Sequence, residues 1–247
     1  MVRILIVSAS LILSGCIQVS EPDTLGEPIV VITFDDAHHS IYDRGFAMMQ
    51  ATDSSWHASH FFPTSYPGNA ENMTLAQIQE MERAGWENGG HGVTHENFAS
   101  VPLDTVRAQV AAVDSYFTAN HLRLDSWAYA YGNYNDSVEE IVRAKVKNIR
   151  TSHDLNYVGD VNRLHLGYFA VRNEHSLNDL IHRVEEARNN GSKLVVIGFH
   201  IILDPDEPET PNYFTRTPVF QGFLHYLKQS ELPVMSLREA MDKLGKK

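Results

Sequence analysis

Short apolar runs alternate with longer amphipathic segments along most of the chain. Residues 29–34 are almost wholly apolar, which is typical of a strand buried on both faces of a parallel sheet. Similar short runs recur between the amphipathic segments. We therefore predict eight strands, at residues 29–34, 56–62, 86–91, 126–131, 148–151, 165–171, 193–200 and 233–235.

The segments between these strands have helical periodicity. Leu177, Leu180, Ile181 and Val184, for example, fall on one helical face, a spacing that indicates a core-facing helix. Some segments begin at a residue that can cap a helix. The predicted helices are residues 74–84, 103–120, 137–146, 177–190 and 214–228.

Alternation of strands and helices predicts an α/β fold with a parallel sheet. Seven or eight strands of this kind suggest a barrel related to the (β/α)8 type. We expect a distorted (β/α) barrel of mostly parallel strands, formed as a single domain by residues 29–247. In such a fold the loops at the carboxyl ends of the strands carry the chemistry.

The first residues have the pattern of an export signal. Arg3 precedes an apolar stretch at residues 4–13, too short for a membrane span, which needs about 20 residues. The sequence at residues 13–16, Leu-Ser-Gly-Cys, resembles the lipobox of bacterial lipoproteins. That resemblance implies a signal peptide at residues 1–15, an acylated Cys16 and a tether at residues 16–28. An ordinary signal peptide with a stray cysteine is the alternative.

Composition narrows the function classes. Cys16 is the only cysteine, which excludes a disulfide, a cysteine-ligated zinc site and a thiol nucleophile in the folded domain. The formal net charge of −11 argues against nonspecific binding to nucleic acid. The expected location is the bacterial cell envelope, periplasmic or outer surface, with membrane contact through the lipid anchor. The sequence does not indicate an oligomeric state.

Three short motifs supply the parts of a mononuclear metal hydrolase. They are Thr-Phe-Asp-Asp at residues 33–36, His-Gly-Val-Thr-His at residues 91–95, and Phe-His at residues 199–200. Each lies where a predicted strand ends. One carboxylate of the first motif can bind a metal while its neighbour stays free as a base. Two imidazoles and one carboxylate, with water in the remaining position, are the ligand set of a catalytic zinc site.

The motifs in this order resemble those of the polysaccharide deacetylases with a NodB-homology domain, carbohydrate esterase family four. The resemblance extends from about Ile29 to Met241. It rests on residues 33–36, on the Gly-x-Glu-x-x-x-His-x-x-x-His pattern at residues 85–95, on Tyr131-Gly132 and on the late His200.

The resemblance implies a role for each motif residue. Asp35 corresponds to the general base, and Asp36, His91 and His95 correspond to the ligands of Zn²⁺ or another divalent metal. His200 corresponds to the acid that protonates the leaving group. The backbone N–H of Tyr131 corresponds to an oxyanion donor.

The segment at residues 128–131, which corresponds to the family's third motif, departs from the family pattern. Many members have Arg-x-Pro-Tyr where this chain has Ala-Tyr-Ala-Tyr at residues 128–131, so the arginine that steadies the catalytic aspartate is absent there. Arg150, at the end of another predicted strand, is a candidate to form the ion pair with Asp35. A surface or core-edge arginine is the alternative interpretation.

The substrate pocket also departs from the pattern. The family leucine two residues before the late histidine corresponds to Gly198, and the motif Asp-x-Trp is missing between residues 146 and 160. We expect the pocket to be either widened at Gly198 or refilled by a bulky neighbour such as Trp127. Tyr129 is expected to line it, near Tyr131.

The function expected from the resemblance is metal-dependent removal of acetyl groups from N-acetylated amino-sugar polysaccharides or oligosaccharides. An esterase acting on O-acetylated glycans such as acetylxylan would use the same groups. A non-catalytic glycan-binding surface lipoprotein and a small-molecule amidohydrolase are further alternatives. The expected partner is an acetylated glycan.

Overall fold

The computed structural model describes residues 26–153, 157–210 and 213–245. The predicted signal peptide, Cys16 and most of the tether lie outside the described residues and stay predictions. Within the described part of the chain, no helix combines the length and the apolarity that crossing a bilayer requires.

Seven parallel strands form one curled sheet, as the strand and helix alternation predicts. Their order across the sheet is β5-β4-β3-β2-β1-β7-β6. The strands are β1 (Ile29–Asp35), β2 (Ser59–Phe62), β3 (Glu87–Gly90), β4 (Ser126–Ala128), β5 (Asn148–Arg150), β6 (Phe169–Ala170) and β7 (Leu194–Phe199). The predicted fold class, a distorted (β/α) barrel in a single domain, is confirmed.

One extended segment contacts both edges of this sheet. Leu166 donates its N–H to Ile149 O at 2.9 Å and accepts the N–H of Thr151 at 2.7 Å, so it pairs with the β5 edge. A few residues later β6 pairs with β7. The predicted strand at residues 165–171 is therefore divided into two short pairings, which bring the two edges of the sheet towards each other.

Helices cover the outer face of the sheet. A π-helical turn, Ile41–Phe46, leads into the first of them. The helices are α1 (Ala47–Thr52), α2 (Leu75–Arg83), α3 (Leu103–Ala119), α4 (Asp136–Arg143), α5 (Leu177–Asn190), α6 (Thr217–Gln229) and α7 (Leu237–Leu244). Of these seven helices in the described residues, five match predicted helices, and α1 and α7 were not predicted.

The last third of the chain departs locally from the prediction. A two-stranded parallel sheet, β8 (Ile201–Leu203) and β9 (Phe214–Arg216), occupies the start of the segment predicted as helix 214–228. The strand predicted at residues 233–235 is reduced to one bridge between Val234 and Val30. The rest of the predicted helix is present as α6.

The amino ends of the strands are closed by α7. Glu87, at the start of β3, is fully buried and accepts hydrogen bonds from Ser59 Oγ (2.7 Å), Ser126 Oγ (2.5 Å) and the backbone N–H of Arg238 in α7 (2.8 Å). Burial raises the pKa of Glu87 above its ordinary value although these donors oppose the shift. With this end closed, the functional groups lie at the opposite, carboxyl end.

Candidate metal and catalytic site

The three sequence motifs meet at the carboxyl ends of neighbouring strands. Asp35 is the last residue of β1 and Asp36 follows it, His91 follows β3, and His200 follows β7. Since β1 pairs with both β2 and β7, these loops face one another. Together with His95, these residues line one cavity of about 290 Å³.

Asp36, His91 and His95 have the geometry of a metal-binding triad. Their ligand atoms lie within 4.8 Å of one another. Asp36 Oδ1 is 3.2 Å from His95 Nε2 and 3.6 Å from His91 Nε2. Zinc bonds of about 2.0–2.2 Å in a tetrahedral arrangement place two ligand atoms about 3.3–3.6 Å apart. The donor set therefore fits a divalent ion such as Zn²⁺.

Hydrogen bonding and electrostatics favour the protonation states that a metal requires. His91 Nδ1 lies 2.7 Å from Ala128 O and donates to it, which leaves the Nε2 lone pair facing Asp36. Burial lowers the pKa of His91, so the neutral ring is preferred. Burial alone would raise the pKa of Asp36, but the contact with His95 and the charges of His91 and His200 hold that pKa well below its ordinary value.

The backbone around the site is in an unusual conformation. Asp36, Ala37, His95 and Tyr131 are not glycines, yet they have positive φ angles of 72°, 59°, 59° and 59°. Such left-handed residues cost free energy and concentrate at functional sites. The sequence contains no signal for this feature.

Asp35 and Arg150 form a buried ion pair. Arg150 Nη2 donates to Asp35 Oδ2 at 2.6 Å, and the side chains are only 2% and 4% exposed. Asp35 Oδ1 is buried without a hydrogen-bond donor among the described residues. The contact predicted from the sequence is thus present, and one carboxylate oxygen remains available for another partner.

His200 and Tyr131 flank the cavity. His200 Nε2 lies 3.7 Å from Asp35 Oδ2, beyond hydrogen-bonding distance, and its ring packs on Tyr213 with centroids 4.7 Å apart. Tyr131 is 65% exposed, and its ring meets that of His95 edge-on at 4.6 Å. Tyr131 therefore presents an aromatic surface at the mouth of the cavity.

The predicted pocket residues have different positions. Tyr129 lines the cavity as expected and stacks on Tyr134 at 4.7 Å. Trp127 does not line it, because its side chain points to the helix-covered side of the sheet, where it lies over Gly90 and packs against Phe98. The prediction that Trp127 refills the pocket is wrong.

The space beside Gly198 is filled by Tyr168 instead. A methyl group added at Gly198 would overlap the Tyr168 ring, so Gly198 itself is covered and the cavity is not widened there. Several cavity residues escaped the sequence prediction, among them Tyr168, Arg172 and Tyr213. Tyr168 lies within a predicted strand and Arg172 directly follows it, which is a usable signal, whereas Tyr213 lies in a loop without any motif.

A second group of potential ligands, His38, His39 and Glu71, also lies within 4.8 Å. However, the backbone N–H of Ser40 donates to His38 Nδ1 at 3.2 Å. His38 Nδ1 also lies 2.8 Å from Ser40 Oγ, and its Nε2 is 4.0 Å from Glu71 Oε2, whose side chain is 82% exposed. His39 Nδ1 is paired with Asp43 Oδ2 at 2.9 Å, so this surface cluster is engaged in local contacts, unlike the triad in the cavity.

Comparison with a protein-family model identifies the family of the chain. The family model described as "Polysaccharide deacetylase" matches residues 23–147. The chain belongs to the polysaccharide deacetylase family. The match includes the motifs at residues 33–36 and 91–95 and the segment at residues 128–132. Among curated protein sequences, none matches the chain.

Solved structures of carbohydrate esterase family four (CE4) share the fold. The Xyl-CE4 domain of a multidomain xylanase from the hindgut metagenome of Trinervitermes trinervoides is 14% identical with a TM-score of 0.59, over 89% of this chain and 92% of that one. A T48 deacetylase with substrate is 13% identical with a TM-score of 0.57, over 90% and 95%. A CE4 family pseudoenzyme from Bacillus anthracis is 15% identical with a TM-score of 0.58, over 88% and 66%. At these identities the likeness concerns the fold.

Proposed function

We propose that this family member is an active, metal-dependent deacetylase that removes acetyl groups from N-acetylated amino-sugar polysaccharides or oligosaccharides. The observation that carries the proposal is the juxtaposition of the triad Asp36, His91 and His95 with the buried Asp35–Arg150 pair in one cavity. A deacetylase of this kind needs both a metal and a positioned base, and this cavity holds residues for both.

The triad would hold the metal. When bound, a divalent ion supplies Lewis-acid chemistry, since it makes water more acidic and polarises an acetyl carbonyl. Asp36 contributes the negative charge, and the Nδ1–H of His91 is anchored on Ala128 O, so the ring keeps its orientation.

Asp35 is assigned as the general base. Its Oδ2 is held by Arg150, while Oδ1 is buried and lacks a donor among the described residues. A carboxylate with one oxygen fixed and the other free can take a proton from water without changing its orientation. Arg150 therefore does in this chain what the missing arginine of the third motif does in its relatives.

His200 is assigned as the general acid. His200 follows β7, which lies next to β1 on the side away from β5, the strand of Arg150. Its ring packs against Tyr213. From there a protonated ring can donate to the leaving amine. The backbone N–H of Tyr131 would stabilise negative charge on the acetyl oxygen.

The exposed ring of Tyr131 at the mouth of the cavity supports a sugar substrate, because an aromatic face can stack on a pyranose ring. Together with the lipobox-like sequence at Cys16, this points to a glycan at the cell envelope. Chain length and linkage are set by surfaces beyond the cavity.

The test is acetate release on a matched panel of N-acetylglucosamine oligomers and O-acetylated xylan. The proposal expects release from the N-acetylated oligomers at a higher kcat/KM than from acetylxylan. Faster release from acetylxylan would assign the protein as an O-acetyl glycan esterase. Binding of oligomers without any release would assign it as a glycan-binding protein.

A further inference from the structure

The position of Gly198 in β7 is explained by the ring that covers it. Gly198 pairs with Thr33 of β1 on one side and with Ala170 of β6 on the other. A Cβ at this position would overlap the ring of Tyr168 and lie 3.0 Å from Thr33 Oγ1. The Tyr168 ring can therefore lie on the sheet only because residue 198 has no side chain.

A guanidinium group also lies over the ring of Tyr168. Arg150 Cζ lies 3.8 Å from the centroid of the Tyr168 ring and 5.1 Å from that of Phe61. A cation at this distance from an aromatic face is attracted by the ring, most strongly where water is excluded. Arg150 is 2% exposed, so water does not compete.

Arg150 has few other restraints. Its Nη2 donates to Asp35, but its Nε and Nη1 are buried and have no hydrogen-bond partner among the described residues. A guanidinium held by one hydrogen bond can pivot about it. The contact with Tyr168, through its ring and its hydroxyl group, restrains the guanidinium group beside Asp35.

We propose that Tyr168 is a positioning residue for the deacetylase reaction, which holds Arg150 against Asp35, and that Gly198 is required because it admits the Tyr168 ring. In place of the arginine of the family's third motif, this chain uses Arg150 in β5, supported by Tyr168 just before β6 and by Gly198 in β7. The kcat measurements below rest on the proposed function, because they require the protein to be an active deacetylase.

The experiment compares Tyr168→Phe, Tyr168→Ala and Gly198→Ala in the zinc-loaded protein. Tyr168→Phe keeps the ring but removes the hydroxyl group, which also interacts with Arg150, so it should lower kcat less than Tyr168→Ala does. Tyr168→Ala removes the ring, and a misplaced base should lower kcat by about 10- to 100-fold, with a smaller change in KM. Gly198→Ala should lower kcat similarly, since the new methyl group displaces the ring.

The double variant Tyr168→Ala/Gly198→Ala provides a matched control that does not depend on turnover. If the methyl group acts by displacing the ring, Gly198→Ala should lower Tm in the wild-type background and have little further effect in the Tyr168→Ala background. Equal effects of Gly198→Ala in both backgrounds would overturn the inference.

The kinetic results separate this inference from the proposed function. A wild-type protein that releases no acetate would contradict the proposed function, while the Tm cycle would still test the contact. An active wild type with Tyr168→Ala at unchanged kcat would overturn the positioning role. A loss in Tyr168→Ala confined to KM would also overturn it, because it would make Tyr168 a wall of the substrate pocket only.

Discussion

Removing one member of the buried Asp35–Arg150 pair should destabilise the fold strongly. Arg150→Met leaves the Asp35 carboxylate, 4% exposed, without its cation. Breaking a buried pair from one side costs about 3–5 kcal/mol, because an uncompensated charge stays in the interior. For a domain of this size that loss corresponds to a decrease in Tm of about 6–20 °C.

The double variant Asp35→Asn/Arg150→Met shows whether charge is the cause. With both charges gone, about 1–3 kcal/mol of the loss should return, although a buried amide keeps part of the cost. Urea unfolding of the metal-stripped proteins is the assay, since a bound ion would add its own binding free energy. The free energy of unfolding of Asp35→Asn alone completes the comparison. If adding Asp35→Asn to Arg150→Met lowers the free energy of unfolding by as much as Asp35→Asn does in the wild type, the two charges are not coupled and the reasoning is refuted.

Three further predictions concern other parts of the molecule. Burial raises the pKa of Glu87, so its contribution to stability is complete below the unfolded pKa of about 4.5 and is lost as pH rises through the folded pKa. In urea titrations, the free energy of unfolding of the wild type relative to Glu87→Gln should therefore fall between pH 4 and pH 7. A difference that stays constant with pH would contradict this. His91→Ala should weaken zinc binding by more than about 100-fold, because losing a direct ligand costs more than losing a residue that only supports a ligand, for which about 100-fold is the upper end. Competition with a chelator measures the affinity. An unchanged affinity would remove His91 from the ligand set. Cys16→Ser in the full-length chain should abolish incorporation of labelled palmitate and release the protein from the membrane fraction, whereas persistent labelling would contradict lipidation at Cys16.

The fold class could be predicted because its signals are local and periodic. Buried apolar runs and amphipathic segments alternate along the chain, and that pattern permits few architectures. The two helices that were not predicted, α1 and α7, show the limits of prediction from local patterns. The π-helical turn before α1 has no capping side chain at Ser40, so it leaves no signature. In contrast, α7 begins with a capping box between Ser236 and Glu239, a signal present in the sequence but overlooked.

The site was predictable as far as each residue ends a strand. Asp35, Asp36 and His200 follow apolar runs, and His91 follows the glycine-rich strand β3, so the sheet brings them together at one edge. The left-handed backbone could not be anticipated, since tertiary contacts impose it. The position of Tyr168 depends on one segment that pairs with both β5 and β7, a non-local arrangement without any sequence period.

The proposed reaction, deacetylation, requires both a bound metal and Asp35 as base. The most direct measurement is acetate release from N-acetylglucosamine oligomers by the metal-stripped protein, before and after zinc is added, with Asp35→Asn in parallel. The account predicts no release without zinc, release with zinc, and loss of that release in Asp35→Asn while zinc is still bound. Release by Asp35→Asn at the wild-type rate, or zinc binding by the wild type without any release, would contradict it.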